Sequence, residues 1–147
     1  MKKYMVLLLI VLLSFLLFGC SKLVIEDTIR KFQDAINNED AEALKEVMSP
    51  DSDFYKTTTF EEFIEDNFSQ KIPVEYKNLD IDINDNLADV YADEYSLANT
   101  DHPEINEVLF VMRKVDNFFS FIFPEWKVYR FYNEGDFNNP VWKRVKK

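Results

Sequence analysis

Hydrophobic and polar residues recur along this chain with two different periods, and the change of period separates a helical part from a strand-forming part. From Ile25 to Phe68, apolar residues recur every three or four positions, as on one face of an α-helix. After Pro73 they recur at every second position, as in a half-buried β-strand. The pattern predicts an α+β protein in which N-terminal helices pack on one face of a curved antiparallel sheet.

The helical part contains three amphipathic segments with recognisable ends. Ile25, Ile29, Phe32 and Ile36 form the apolar stripe of the first helix, which Asn37-Asn38 interrupts. The ends of the next two helices are indicated by Asp40 as an N-cap, Pro50 as a stop, and Thr59 and Glu62 at the spacing of a capping box.

The second part is expected to form four strands. Leu79, Ile81 and Ile83 alternate with polar residues, and Asn84-Asp85-Asn86 is typical of a turn. The further strands are predicted at Leu87–Leu97, Glu107–Val115 and Glu125–Tyr132, and residues 140–147 form either an edge strand or a tail. The third strand is apolar at consecutive positions, so we expect both of its faces to be covered.

The chain starts with a segment typical of export signals. Lys2 and Lys3 precede an apolar run, Met5–Phe18, of 14 residues that only Ser14 interrupts. A membrane-spanning helix needs roughly 20 residues, so the run is better suited to a signal peptide. An uncleaved helix and an ordinary secretory peptide remain alternatives.

The residues Leu17-Phe18-Gly19-Cys20 resemble the lipobox of bacterial lipoproteins. The resemblance implies cleavage between Gly19 and Cys20, and a thioether-linked diacylglycerol with palmitate-type acyl chains on Cys20. The domain would then lie outside the cytoplasm, held on the inner or outer membrane. The chain would divide into a signal peptide (1–19), the lipidated cysteine with a short tether (20–24) and one α+β domain (25–147).

Charge and composition exclude several kinds of partner and chemistry. The net charge of −10 becomes −12 without residues 1–19, which argues against nucleic acid as a partner. Gly135 is the only glycine after Gly19, and His102 is the only histidine, so neither a phosphate loop nor a histidine zinc site is expected. Asp80-x-Asp82-x-Asn84 lacks the glycine and glutamate of a calcium loop. We therefore expect no metal, no cofactor and no catalytic motif.

Two blocks of sequence resemble the nuclear-transport-factor-2-like superfamily, also called the cystatin-like cone fold. The first runs from Phe32 to Leu44 (FQDAINNEDAEAL) and is followed by Ser49-Pro50-Asp51. The second comprises residues 110–114 (FVMRK) and 125–128 (EWKV), which are similar to the last two strands. The resemblance covers about residues 24–133 and implies helices packed on a cone-shaped sheet.

The superfamily contains binding proteins and enzymes, and three functions follow as hypotheses. The favoured one is an anchored lipoprotein that binds a small apolar ligand or a protein. The alternatives are an isomerase- or dehydratase-like enzyme with a buried carboxylate, and a structural envelope protein acting as a homodimer. No catalytic role is transferred to any residue of this chain.

The candidates for a ligand pocket or an interface are residues of the predicted strands, namely Tyr91, Tyr95, Arg113, Trp126 and Tyr129. Arg113 interrupts an apolar strand, and the alternative is that it pairs with an exposed acid at the rim. A Phe-rich segment, residues 118–123, either covers the sheet as a long hairpin or forms a hydrophobic tip for a partner or membrane.

Overall fold

In the residues that the structure describes, three helices precede a four-stranded antiparallel sheet, as the hydrophobic pattern predicts. The structure, a computed structural model, describes residues 2–52, 59–68, 72–97, 104–116 and 124–132, and within residues 2–20 it describes only the side chain of Val6. The helices are α1 (Lys2–Asn37), α2 (Ala41–Val47) and α3 (Phe60–Phe68). The strands are β1 (Val74–Asn84), β2 (Leu87–Ser96), β3 (Glu104–Lys114) and β4 (Trp126–Tyr132).

The first helix, α1, carries the apolar stripe that covers the sheet. Ile25, Ile29, Phe32 and Ile36 are all buried in the core, as their spacing predicts. Residues 21–24, expected to form a tether, continue α1. Among the residues with a described placement, no helix is long and apolar enough to span a membrane.

The ends of the short helices confirm the capping signals. Asp40 accepts a hydrogen bond from the Ala43 N–H at 3.0 Å and so caps α2. Thr59 donates its N–H to the Glu62 carboxylate at 3.0 Å, and Glu62 returns its own N–H to the Thr59 hydroxyl at 3.2 Å. This reciprocal pair is the capping box that starts α3.

The strands are consecutive neighbours in the order β1-β2-β3-β4, and every pair is antiparallel. Asp85 takes a left-handed φ of 54° in the turn between β1 and β2. Asn78, with a φ of 53°, lies in a bulge of β1. The extra residue of the bulge reverses the alternation of faces along β1. Even-numbered Val74 and Tyr76 face the core before the bulge, and odd-numbered Ile81 faces the core after it.

The third strand is buried on its inner face, but on its outer face only at Leu109. The prediction that both faces are covered therefore holds only at the centre of the strand, since Ile105 on the outer face is 52% exposed. Val108, Phe110 and Met112 belong to the core that faces the helices, and all three are fully buried. Leu109 points to the opposite face and is also 0% exposed. In that second layer the register places it between Tyr91 of β2 and Tyr132 of β4.

Four aromatic rings form the centre of the core. The Phe110 ring lies 5.3 Å from Phe32 of α1, 5.0 Å from Tyr76 of β1 and 5.0 Å from Phe131 of β4, measured between ring centroids. The first two contacts are nearly perpendicular, at 87° and 89°, which suits the aromatic quadrupole. The rings therefore join α1 to three of the strands.

The helical part pairs with one position of each outer strand of the sheet. At β1, the Asn37 amide donates to the Val74 carbonyl and accepts from the Val74 N–H, each at 2.9 Å. At β4, Met48 forms a parallel bridge with Val128, and the Ser49 N–H donates to the Val128 carbonyl at 2.8 Å. These contacts occupy edge backbone groups at Val74 and Val128, which are then not offered to other strands.

Some expectations concern parts of the chain outside the described residues. These are the Phe-rich segment 118–123, the edge strand or tail at 140–147, the loop with His102 and the side chain of Cys20.

Replacing Phe110 with alanine should lower the free energy of unfolding by about 3–5 kcal/mol, because the substitution leaves a cavity among four rings. Urea unfolding followed by tryptophan fluorescence measures the change. The control, Leu97→Ala, alters a side chain that is 39% exposed and should cost less than about 1 kcal/mol. Equal losses in the two variants would contradict this description of the core.

Candidate functional site

The sheet separates the five candidate site residues. Tyr91 and Tyr95 alternate with core residues along β2, so they lie on the outer face, which is the face turned away from the helices. Arg113 of β3 occupies the same face, opposite Leu87. Trp126, in contrast, is 2% exposed and belongs to the core on the inner face. The five residues therefore do not form one pocket.

Arg113 and Tyr129 are brought together. The Arg113 guanidinium carbon lies 5.6 Å from the centroid of the Tyr129 ring, and Arg130 approaches the same ring at 5.1 Å. Arg113 also forms an ion pair with Asp51, with 3.1 Å between Nη1 and Oδ2. Both partners of the ion pair are exposed, so it contributes less than about 1 kcal/mol to stability. These contacts agree with the expectation that Arg113 pairs with an acid at the rim.

Trp126 lines an open cleft of about 700 Å³ between α1, α2 and the start of β4. The apolar part of its wall comes from Val24, Val47, Pro124 and Trp126. The polar part is formed by Asp27, Thr28, Lys31, Glu46, Glu125 and Lys127. The volume is in the range of small-molecule sites.

The charges on the cleft wall largely neutralise one another. Lys31 pairs with Asp27 at 2.8 Å, and Lys127 pairs with Glu125 at 3.3 Å. Hydrogen bonding to Lys31, and then to Arg30, holds the pKa of Asp27 below its ordinary value. The cleft therefore offers apolar surface between two ion pairs.

Two polar groups in the cleft wall are buried. The Thr28 hydroxyl lies 2.9 Å from the Val24 carbonyl and 3.1 Å from the Trp126 carbonyl, which joins α1 to β4. The indole N–H of Trp126 is buried and has no hydrogen-bond partner among the described residues. A buried donor without an acceptor is costly and uncommon in folded proteins.

A second polar site lies near the opposite end of the sheet. Glu94 of β2 stands between Tyr76 of β1 and Asn106 of β3 in the strand register. Asn106 in this site and Lys114, which pairs with Trp126, are about 27 Å apart along β3. Among the described residues, neither the Tyr76 hydroxyl nor Glu94 Oε2 has a partner with hydrogen-bond geometry.

Burial changes the ionisation of both groups in this site. It raises the pKa of Glu94 above the ordinary value of 4.5, and the neighbouring Tyr76 hydroxyl and Asn106 amide offset only part of the rise. Burial also raises the pKa of Tyr76 well above its ordinary value, and the charge of Glu94 raises it further. Glu94 can therefore exchange a proton at higher pH than an exposed glutamate, beside a phenol that stays protonated.

Sequence reasoning missed Glu94 although a signal was present. Ala88, Val90, Ala92 and Glu94 share one phase of β2, and the first three belong to the core. A carboxylate in the core-facing phase of a strand is unusual, because a buried charge needs partners.

The acidic motif on β1 does not form a metal site with its neighbours. Asp82 lies directly opposite Asp89 of β2 on the outer face. Burial, followed by repulsion from Asp82, raises the pKa of Asp89. In the part of the chain that the structure describes, no group of three or more potential ligands is placed to hold a metal ion.

Replacing Glu94 with glutamine should stabilise the protein at neutral pH. A carboxyl group whose pKa is raised by folding stabilises the folded state below its unfolded pKa, and this contribution is lost as pH rises through the folded pKa. The advantage of the variant should thus be present at pH 7, shrink as the pH falls through the raised folded-state pKa, and be gone below the ordinary pKa of 4.5. Urea unfolding at several pH values measures it.

A matched control is Glu104→Gln, which changes an exposed carboxylate on β3 and should leave stability nearly unchanged at each pH. The free energies of unfolding of Glu94→Gln and the wild type are compared between pH 4 and 8, a range that includes the ordinary pKa of a glutamate. If their difference did not change with pH, burial of the carboxylate would be refuted.

Comparisons with known proteins do not assign this chain to a family. No protein-family model matches it, and no curated protein matches it in sequence. The functional argument therefore starts from the cleft beside Trp126 and from the buried carboxylate of Glu94, which the strand register places at opposite ends of the sheet.

Proposed function

We propose that this chain is a membrane-anchored extracytoplasmic lipoprotein whose domain binds a small, mainly apolar ligand. The observation that carries the proposal is the open cleft of about 700 Å³ between α1, α2 and β4. The anchor is proposed from the basic and apolar start of the chain and from Cys20. A diacylglycerol supplies two acyl chains, which is what stable anchoring requires.

The position of the cleft along α1 supports the link between anchor and binding. Cys20 and Val24 are four residues apart in a continuous helix, which corresponds to about 6 Å along its axis. The cleft wall therefore starts about one helical turn beyond the proposed lipid. A ligand that partitions into the membrane would have a short path to this cleft.

The composition of the wall indicates the chemistry of the ligand. The apolar part of the wall consists of half-buried Val24 and of the buried residues Val47, Pro124 and Trp126. Four of the five charged groups of the wall already form two ion pairs with each other, so a ligand of high charge would have to break those pairs. A neutral amphiphile fits this surface best.

For the fold, we propose the cone shape of the nuclear-transport-factor-2-like superfamily. The order of helices and strands supports it. Bulges at Asn78 and between Val111 and Met112 support a curved sheet, because a bulge bends its strand and increases the local twist.

Glu94 favours a second function, an acid–base enzyme of the isomerase or dehydratase type. A carboxyl group whose pKa is raised by burial is suited to general acid–base chemistry when a substrate can reach it. Neither Glu94 nor Tyr76 lines the cleft, which is why binding is our first proposal. Under the enzyme hypothesis, Glu94→Gln would abolish turnover of a substrate that the wild-type protein converts.

The variant Cys20→Ala should lose lipid labelling, because the thioether needs the cysteine sulfur. Growth with a radioactive or alkyne-bearing palmitate, followed by membrane fractionation, measures the loss. Ser21→Ala is the control and should keep its label. Labelling that persists in Cys20→Ala would refute the anchor.

The variant Glu46→Trp should lose the bound ligand, because Glu46 is an exposed residue of the cleft wall and an indole there fills the cleft. Native mass spectra of the protein purified from its own membranes would show the ligand as extra mass. The control, Glu42→Trp, places the same ring on an exposed position of α2 outside the cleft and should retain the mass.

The same measurement separates the two functions. Glu94→Gln should keep the bound mass if the ligand occupies the cleft. Loss of the mass in Glu94→Gln, with retention in Glu46→Trp, would move the site to Glu94 and contradict binding in the cleft.

A further inference from the structure

The outer face of the sheet carries an acidic patch, formed by Asp80 and Asp82 of β1 and Asp89 of β2. The strand register sets Asp82 directly opposite Asp89, and like charges in such cross-strand pairs destabilise a sheet. None of the ion pairs between described residues involves these three carboxylates. Burial, and then the charges of the patch, raise the pKa of the adjacent Tyr91 to about 12. The patch is therefore a concentration of negative charge without a cation beside it among the described residues.

The bases of the outer face are paired with other acids or distant from the acidic patch. Three of the four form ion pairs, at 2.8, 3.1 and 3.3 Å: Lys77 with Glu75, Arg113 with Asp51, and Lys127 with Glu125. The fourth, Arg130, lies on β4, two strands away from Asp89. Two more acids, Asp93 and Glu107, lie opposite each other on β2 and β3, so negative charge extends over three of the strands.

Apolar side chains of the same face lie beside this negative charge. Leu87 and Ile105 are 46% and 52% exposed, and Tyr91, Val111 and Tyr132 between them are half-buried. Together these five residues form an apolar band that runs along β2, β3 and β4. Exposed large apolar residues are typical of a contact surface. A partner that fits the face therefore combines positive charge with apolar area.

The sequence after β4 has this composition. β4 ends at Tyr132, and residues 133–147 follow outside the described part of the chain. Residues 140–147 (PVWKRVKK), here called the basic segment, contain four bases, no acid and three apolar residues besides the proline. Charge and hydrophobicity are thus complementary to the outer face.

The connection between β4 and the basic segment is long enough for the segment to reach the acidic patch. Tyr132 lies on the outer face, opposite Leu109, and three strand spacings of about 14 Å in total separate β4 from β1. Residues 133–139 span up to about 23 Å when extended. They include Gly135, a residue type that permits a reversal of chain direction.

We infer that the basic segment binds across the outer face of its own sheet, with its bases over the acidic patch and its apolar side chains against the apolar band. The short connection gives the segment an effective concentration in the millimolar range, so weak individual contacts suffice to hold it. Bound in this way, the segment relieves the repulsion between Asp82 and Asp89. The cleft beside Trp126 lies on the helical side of the sheet and stays open.

Acrylamide quenching of tryptophan emission, in the full chain solubilised in a nonionic detergent, tests this contact. The chain has two tryptophans, and Trp126 is 2% exposed, so additional quenching reports on Trp142 of the basic segment. The variant Trp142→Phe gives the baseline of Trp126 alone. We expect wild-type quenching close to this baseline. Asp82→Lys should lower the equilibrium constant for docking about tenfold and make Trp142 accessible, because an attractive contact becomes a repulsive one.

A second variant approaches the contact from the other side. Lys143→Glu combined with Arg144→Glu should expose Trp142 as Asp82→Lys does, and it leaves every described residue unchanged, so misfolding of the sheet cannot explain the result. Glu61→Lys, the control, makes the same charge change on an exposed position of α3 and should keep wild-type quenching.

Two results would overturn the inference. One is a wild-type chain in which Trp142 is quenched as strongly as in urea. The other is a Trp142 that stays shielded in both charge variants, which would mean that the detergent micelle or another part of the protein holds the basic segment.

Discussion

The packing of α1 against the inner face of the sheet is the interaction on which the rest of the structure depends. Phe32 inserts between rings from β3 and β4, and Ile25 and Ile29 extend the contact toward the start of the helix. Without this helix the core-facing side of the sheet would be exposed. Burial of that side also positions Asn37, whose amide covers the edge of β1. The apolar stripe of α1 therefore supports both the core and the contact of Asn37 with the edge of β1.

The same helix joins the proposed anchor to the proposed binding site. Cys20 and the cleft residues Val24, Asp27 and Thr28 belong to one continuous element. A rigid connection would hold the cleft at a fixed height above the membrane, whereas a flexible tether would not. The proposed lipid on Cys20 and the proposed binding cleft are therefore linked through α1.

The sequence predicted the elements well because their signals are local. The stripe of α1, the N-cap at Asp40 and the turn at Asp85 each depend on residues a few positions apart. The sequence could not show that Trp126 and Tyr91 lie on opposite faces of the sheet. The face of a residue depends on the strand register, and the bulges in β1 and β4 change the register without changing the strand-forming character of the sequence. Glu94 was recognisable from its phase in β2, but its neighbours Tyr76 and Asn106 come from β1 and β3.

Amide hydrogen exchange of the lipidated protein in membranes tests most directly whether one rigid helix joins anchor and cleft. After cleavage, the first backbone N–H with a helical partner would be that of Val24, because it donates to the carbonyl of Cys20. The account predicts protection from Val24 onward, at the level of Ile29 to Ile36. Fast exchange through Thr28, with protection beginning only at Ile29, would mean that a flexible tether separates the lipid from the domain, and it would contradict the account.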